Sequence, residues 1–151
     1  MREIKFRAKG LDNQWYYGEP HVVTAIHPHI HTKTHSYEIN LQTLGQFTGL
    51  KDRNGVEIYE GDIVRKESVV EYGDDVYTEY YYLAKDTIGV VQLTPSAGAI
   101  LRDCISFETE DPGGDKTPSK YMPRRAKLIA SRSVVLGNIY DNKELLKGYK
   151  L

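Results

Sequence analysis

Five histidines, His21, His27, His29, His31 and His35, all stand at odd positions. On one continuous strand, residues of like parity share a face. His27-x-His29-x-His31 is therefore a spacing with which a sheet can hold a metal ion, and imidazole suits zinc, copper, nickel or iron. Pro28 interrupts such a strand, and no Asp, Glu or Cys lies within 27–36 to complete a mixed ligand set. Against the metal reading stands a plainer one, an exposed polar segment at a sheet edge or in a loop. No cofactor is expected from any other feature.

A second candidate chemistry is phosphate binding. Residues 116–138 hold six bases and no acid, among them Lys120, Arg124, Arg125, Lys127 and Arg132, with Tyr121 interleaved. Such a segment could neutralise a nucleic-acid backbone. Twelve tyrosines are many for this length, and Tyr77, Tyr80, Tyr81 and Tyr82 fall in one predicted strand. Aromatics on strands can stack single-stranded bases. Here Glu71, Asp74, Asp75, Glu79 and Asp86 surround them and would repel phosphate, so packing with wet hydroxyls is the simpler role.

Patterns for catalysis do not occur: no G-x-S-x-G, no G-x-x-x-x-G-K-[ST], no H-E-x-x-H and no G-x-G-x-x-G. Cys104 lies in an apolar alternation and reads as a buried, inert thiol. Glu60 and Asp62 could form a carboxylate pair for acid–base work, but they flank Gly61 and serve equally as turn residues. The expectation is a protein that is not an enzyme.

Composition narrows the classes further. The 151 residues carry a net charge of −1, without the positive excess usual for duplex binding, so nucleic acid is a possible partner and not the favoured one. One domain spanning 1–151 is expected on length. A single cysteine fits a reducing compartment. The opening MREIKFRAKG has no apolar core of a signal peptide, and no apolar run approaches the ~18 residues of a membrane helix. A cytoplasmic protein with no membrane partner is the expectation.

The elements that must position these residues read as β. IKFRAKG (4–10) alternates Ile4, Phe6 and Ala8 against Lys5, Arg7 and Lys9, a strand with one wet face. Asp12-Asn13 turns into WYYGE (15–19). In TGLKDRNGVEIYEGDIV (48–64), Asn54-Gly55 and Glu60-Gly61-Asp62 supply two turns around VEIY. Strands follow at 76–83, with Gly73-Asp74-Asp75 before them, at IGVVQL (88–93) and at AILRDCISFE (99–108). Residues 108–120 read as a mobile surface loop, and AKLIASRSVVLGNIY resumes strand character. Asp141 with Glu144 matches a capping box for one short C-terminal helix over Leu145 and Leu146, ended by Gly148. The fold class expected is mostly β, many short antiparallel strands in small barrel-like units with that one helix.

Three blocks carry a resemblance. They are IKFRAKG, then Gly45-Gln46-Phe47-Thr48-Gly49-Leu50-Lys51-Asp52 running through Asn54-Gly55 to Ile58-Tyr59-Glu60-Gly61-Asp62-Ile63-Val64, and finally GNIYDNKELL (137–146). In this order they resemble the YopX family of phage and prophage proteins. Departures are Lys9-Gly10 where a Trp-Asp type pair is common, Lys143 in place of a Pro, and the His-rich 20–36. The resemblance implies a β-rich fold of small barrel-like units, homo-oligomers, and a gene of phage or prophage origin. It implies no activity and carries over no catalytic residue. The middle block is also similar to the first hairpin of SH3-like barrels, and its turns and apolar positions suffice to explain it as scaffold.

Function is then expected to be binding: a self-associating accessory protein, with a host or phage protein as a further partner. Residues 57–86 hold nine acids against three bases, and could face the basic 116–138 within or between subunits.

Overall fold

The structure, a computed structural model, describes residues 3–21, 26–73 and 80–147. Tyr77, the acids at 74, 75 and 79, the Asp74-Asp75 turn and Gly148 lie outside the described residues.

Among the described residues twelve strands form two antiparallel sheets, and one of the two curls into a half-barrel. The first sheet has the order β4-β3-β2-β1-β5-β6, made of β1 (Phe6–Lys9), β2 (Trp15–His21), β3 (His29–His31), β4 (Ser36–Glu38), β5 (Gly45–Lys51) and β6 (Glu57–Tyr59). The second has the order β10-β9-β8-β7-β12, made of β7 (Asp62–Tyr72), β8 (Tyr81–Thr94), β9 (Gly98–Thr109), β10 (Thr117–Pro118) and β12 (Ser133–Asn138), with β11 (Arg125–Lys127) also on β9. Thr117 and Pro118 thus pair with Glu108 and Phe107 inside the segment read as a loop.

The mostly-β expectation holds, and so do the turns at Asp12-Asn13, Asn54-Gly55 and Glu60-Gly61-Asp62. Gly55 and Gly61 take φ of 81° and 87°, a region a side chain enters only with strain. The chain passes from β6 through Gly61 directly into β7, so this one turn hands it from the first sheet to the second. Successive β7 residues then feed opposite faces. Val64 packs with Ile58, Val91, Leu101, Cys104 and Leu128, whereas Ile63 packs with Ile88, Val90 and Phe107. A third cluster, Ala8, Ile30 and Ile39, fills the first sheet.

Two local expectations are corrected. β1 has no wet face at Arg7, which is 7% exposed, while Ile4 stands in water. Arg7 is tolerated inside because an acid 55 residues away meets it. The C-terminal helix is a single 3₁₀ turn, Lys143–Leu146, preceded by Asn142 with no side-chain cap. Asp141 does not cap it because its carboxylate is taken by Lys9, Trp15 and Asn138.

Candidate binding surface

The dense stretch 48–64 builds the joint between the sheets. Asp52 receives the N–H groups of Asn54 and Val56 on Oδ1 and that of Val135 on Oδ2, at 2.8–2.9 Å. Burial pushes this carboxyl up, but the three amides and the Arg53 charge outweigh it and hold it below the ordinary range. Asp62, 2% exposed, accepts from Arg7 Nη2 at 2.7 Å and from the Tyr59 N–H at 2.8 Å. The Arg7 guanidinium lies between the rings of Trp15 and Tyr59, 4.6 and 4.9 Å from their centroids. Burial drives the Asp62 carboxyl upward against the pull of Arg7 and the Tyr59 amide. Glu60 accepts the N–H groups of Gln46 and Leu93. Glu60 and Asp62 are thus engaged with different partners, and their geometry is that of a clamp.

A second tie lies beside it. Asp141 accepts from Lys9 Nζ, Trp15 Nε1 and Asn138 Nδ2, and these donors pull its carboxyl down to about 2. The Tyr140 hydroxyl donates to the Gln42 carbonyl at 3.1 Å. Neither tie is legible in the local sequence. Their signal was the aromatic–basic pattern of β1 and β2, whose partners are remote in the chain.

The histidines do not converge on one site. His27 precedes β3 and pairs with Glu38 at 2.8 Å, His29 Nδ1 contacts the His27 carbonyl, and the His31 ring stacks on His21 at 4.0 Å. Between His29 and His31, Ile30 is fully buried, so the two histidines share the outer face of a three-residue strand. Among the described residues no group of three or more His, Cys, Asp or Glu could hold a metal ion. Cys104 is buried, and burial raises its thiol.

The basic residues separate by position. Arg125 and Lys127 are exposed on one side of β11, with Ala126 packed between them against the core. Lys120 sits over the exposed Tyr121 ring, Arg124 is exposed in the approach to β11, and Arg132 is exposed in the 3₁₀ turn Ala130–Arg132. Lys116, by contrast, is bound to Asp86 of the same chain at 2.9 Å.

Among the described residues, the far end of β7 and β8 runs on beyond the strands that flank it. Pairing of β8 with β9 stops at Ala84↔Thr109, and pairing of β7 with β12 stops at Lys66↔Ser133. The β7–β8 ladder runs on through Val70↔Leu83 to Tyr72↔Tyr81. This leaves a two-stranded ribbon carrying Val69, Val70 and Tyr72, with Tyr80 just before β8, each about half exposed. Tyr72 stacks on Tyr81 at 4.8 Å, and the Tyr80 hydroxyl donates to Glu71.

Fold and surface together define a class, a two-sheet antiparallel β protein clamped by a buried ion pair and bearing an uncovered strand ribbon. Within that class the particular match is clear. The model of the YopX protein family matches residues 5–147, and the chain belongs to that family. Comparison with curated proteins gives no match. Among the described residues no helix is long and apolar enough to cross a membrane.

Proposed function

We propose that the protein is a non-enzymatic accessory protein of phage or prophage origin that works by binding, as a self-associating interaction module in the cytoplasm of the host cell. The observation that supports this is the β7–β8 ribbon. A lone two-stranded ribbon is marginal in water, and this one carries Val69, Val70 and Tyr72 uncovered, with Tyr80 just before β8. Apolar side chains gathered on a protruding element mark a contact surface. The expected result is an oligomer in light scattering at micromolar concentration; a mass of 17.2 kDa, that of one chain, would overturn the reading. A partner of another kind, a host or phage protein, would survive nuclease treatment when the tagged protein is recovered from host lysate.

A second reading rests on a separate observation. Arg124, Arg125, Lys127 and Arg132 are exposed and form no ion pair among the described residues, and phosphate would compensate them. Nucleic-acid binding through Lys120, Arg124, Arg125, Lys127 and Arg132 predicts affinity that falls steeply with salt. Unchanged oligonucleotide affinity in R124E/R125E would remove it.

A further inference from the structure

Beyond Lys66 the outer edge of β7 carries no strand among the described residues, although its inner edge stays paired to β8 as far as Tyr72. Among the described residues, then, the alternate N–H and C=O groups of 67–72 that point away from β8 meet no strand, and Val69 and Val70 in this stretch are exposed. Open edges of this kind template pairing with another chain, and native sequences usually blunt them with lysine, proline or a bulge. Neither lysine nor proline stands between Glu67 and Tyr72, and the β7–β8 register runs there without a bulge.

The side chains along this edge select a partner. A two-fold axis perpendicular to the sheet keeps each residue on its own face. Antiparallel self-pairing must therefore centre on a single residue. Centred on Val69, Glu67 faces Glu71 of the second copy twice; centred on Glu71, the two glutamates face each other. Like charges directly opposite destabilise a ladder. Centred on Ser68 or on Glu67, the pairing runs into Lys66, already taken by Ser133 of β12, and centred on Tyr72 it runs past the end of the described β7–β8 ladder. Centred on Val70, the two valines meet at the axis, Val69 faces Glu71, and Ser68 faces Tyr72, with no like charges opposed. Leu83 lies directly across from Val70 on β8, so the apolar row becomes Leu83–Val70–Val70–Leu83 across the two copies.

We infer that β7 is the self-association edge, joining the second sheet of two copies into one continuous antiparallel sheet centred on Val70. This rests on the self-association reading above and names its partner, a second copy of this chain.

Two lysine substitutions test the register. V70K places two ammonium groups opposite each other at the axis, and the mass by light scattering is expected to fall to that of one chain. V69K places an ammonium group across from Glu71 of the other copy, twice, and the dimer is expected to persist. Both side chains are half exposed, so neither lysine has to enter a core. A generic greasy contact would be weakened by both substitutions. Loss of the dimer in both, or in neither, would overturn the edge register while leaving self-association standing. A monomeric parent would overturn both proposals. As a measurement free of substitutions, amide hydrogen exchange at residues 67–72 should slow as protein concentration rises into the dimer range. Exchange there that stays independent of concentration in a demonstrated dimer would refute the pairing.

Discussion

Replacing Asp62 by asparagine keeps the shape of the side chain and removes its charge. In the native chain its two oxygens serve two donors, Arg7 Nη2 at 2.7 Å and the Tyr59 N–H at 2.8 Å. An amide has one oxygen, so D62N sets an N–H against one of these donors. Arg7 is then left with two aromatic rings and a carbonyl of Glu60 at 3.5 Å, none of them an anion. Breaking a buried ion pair by removing one partner costs about 3–5 kcal/mol, a large share of the roughly 5–15 kcal/mol typical of a domain. With a urea slope of about 2 kcal/mol per M, the unfolding midpoint should drop by about 2 M. The complementary variant R7M leaves the carboxyl, which burial already pushes above its ordinary value of 3.8. The folded state then holds the proton more tightly than the unfolded chain, so R7M is least impaired near and below that value. Its deficit grows as pH rises through and above it. A loss in D62N under about 1 kcal/mol at neutral pH, the range of exposed pairs, would refute the clamp. A deficit in R7M that stays constant between about pH 4.5 and 7.5 would refute the role of burial at Asp62.

Three further outcomes follow from the same geometry. D141N should cost about 1 kcal/mol at neutral pH, discounted because the carboxylate is partly in water. Asp141, held down to about 2, stabilises the fold above the ordinary 3.8, and this is lost as pH falls from there towards 2. Acid titration followed by circular dichroism should therefore lose that component in D141N. G61A should lower the urea midpoint through about 1–2 kcal/mol of backbone strain at φ 87°; an unchanged midpoint would show that the turn relaxes freely. Cys104, buried with its thiol raised, should react with a maleimide at about pH 8 only at the rate of unfolding, and immediate labelling of native protein would show an open thiol.

The turns could be read from sequence because they depend on neighbours: Asn13, Gly55 and Gly61 take positive φ where Asp-Asn, Asn-Gly and Glu-Gly-Asp stand. The strand at 99–108 could be read because alternation reports burial locally, whereas 88–93, read as a strand of its own, is the second half of the single strand Tyr81–Thr94, which runs through Asp86 and Thr87 without a break. Arg7 could not, since alternation with Lys5 and Lys9 says wet face and only Asp62, across the joint, says otherwise. Asp141 satisfied a local capping pattern and lost it to Lys9, more than a hundred residues away. The ribbon was visible as a tyrosine-rich strand, but that it outruns both neighbours depends on where β9 and β12 stop. The basic residues were placed in one segment, and the fold separates them: Lys116 pairs with Asp86, Arg125 and Lys127 lie on the open side of β11, and Lys120, Arg124 and Arg132 stand outside that strand.

The assignment of β12 to the outer edge of β7 bears on how the chain comes together. β7, β8 and β9 are consecutive and can zip by hairpin closure, a microsecond event for a hairpin. β12 begins at Ser133, so the edge at Ile63 and Val64 must wait for a strand some seventy residues further on. A vectorially synthesised chain therefore carries both halves of the β7 edge bare for the time taken to make the intervening segment. During that interval, premature joining of two nascent chains competes with the intramolecular strand. Asp52 shortens the contest: its carboxylate is already fixed by the Asn54 and Val56 amides and waits as a preformed receptor for the Val135 N–H.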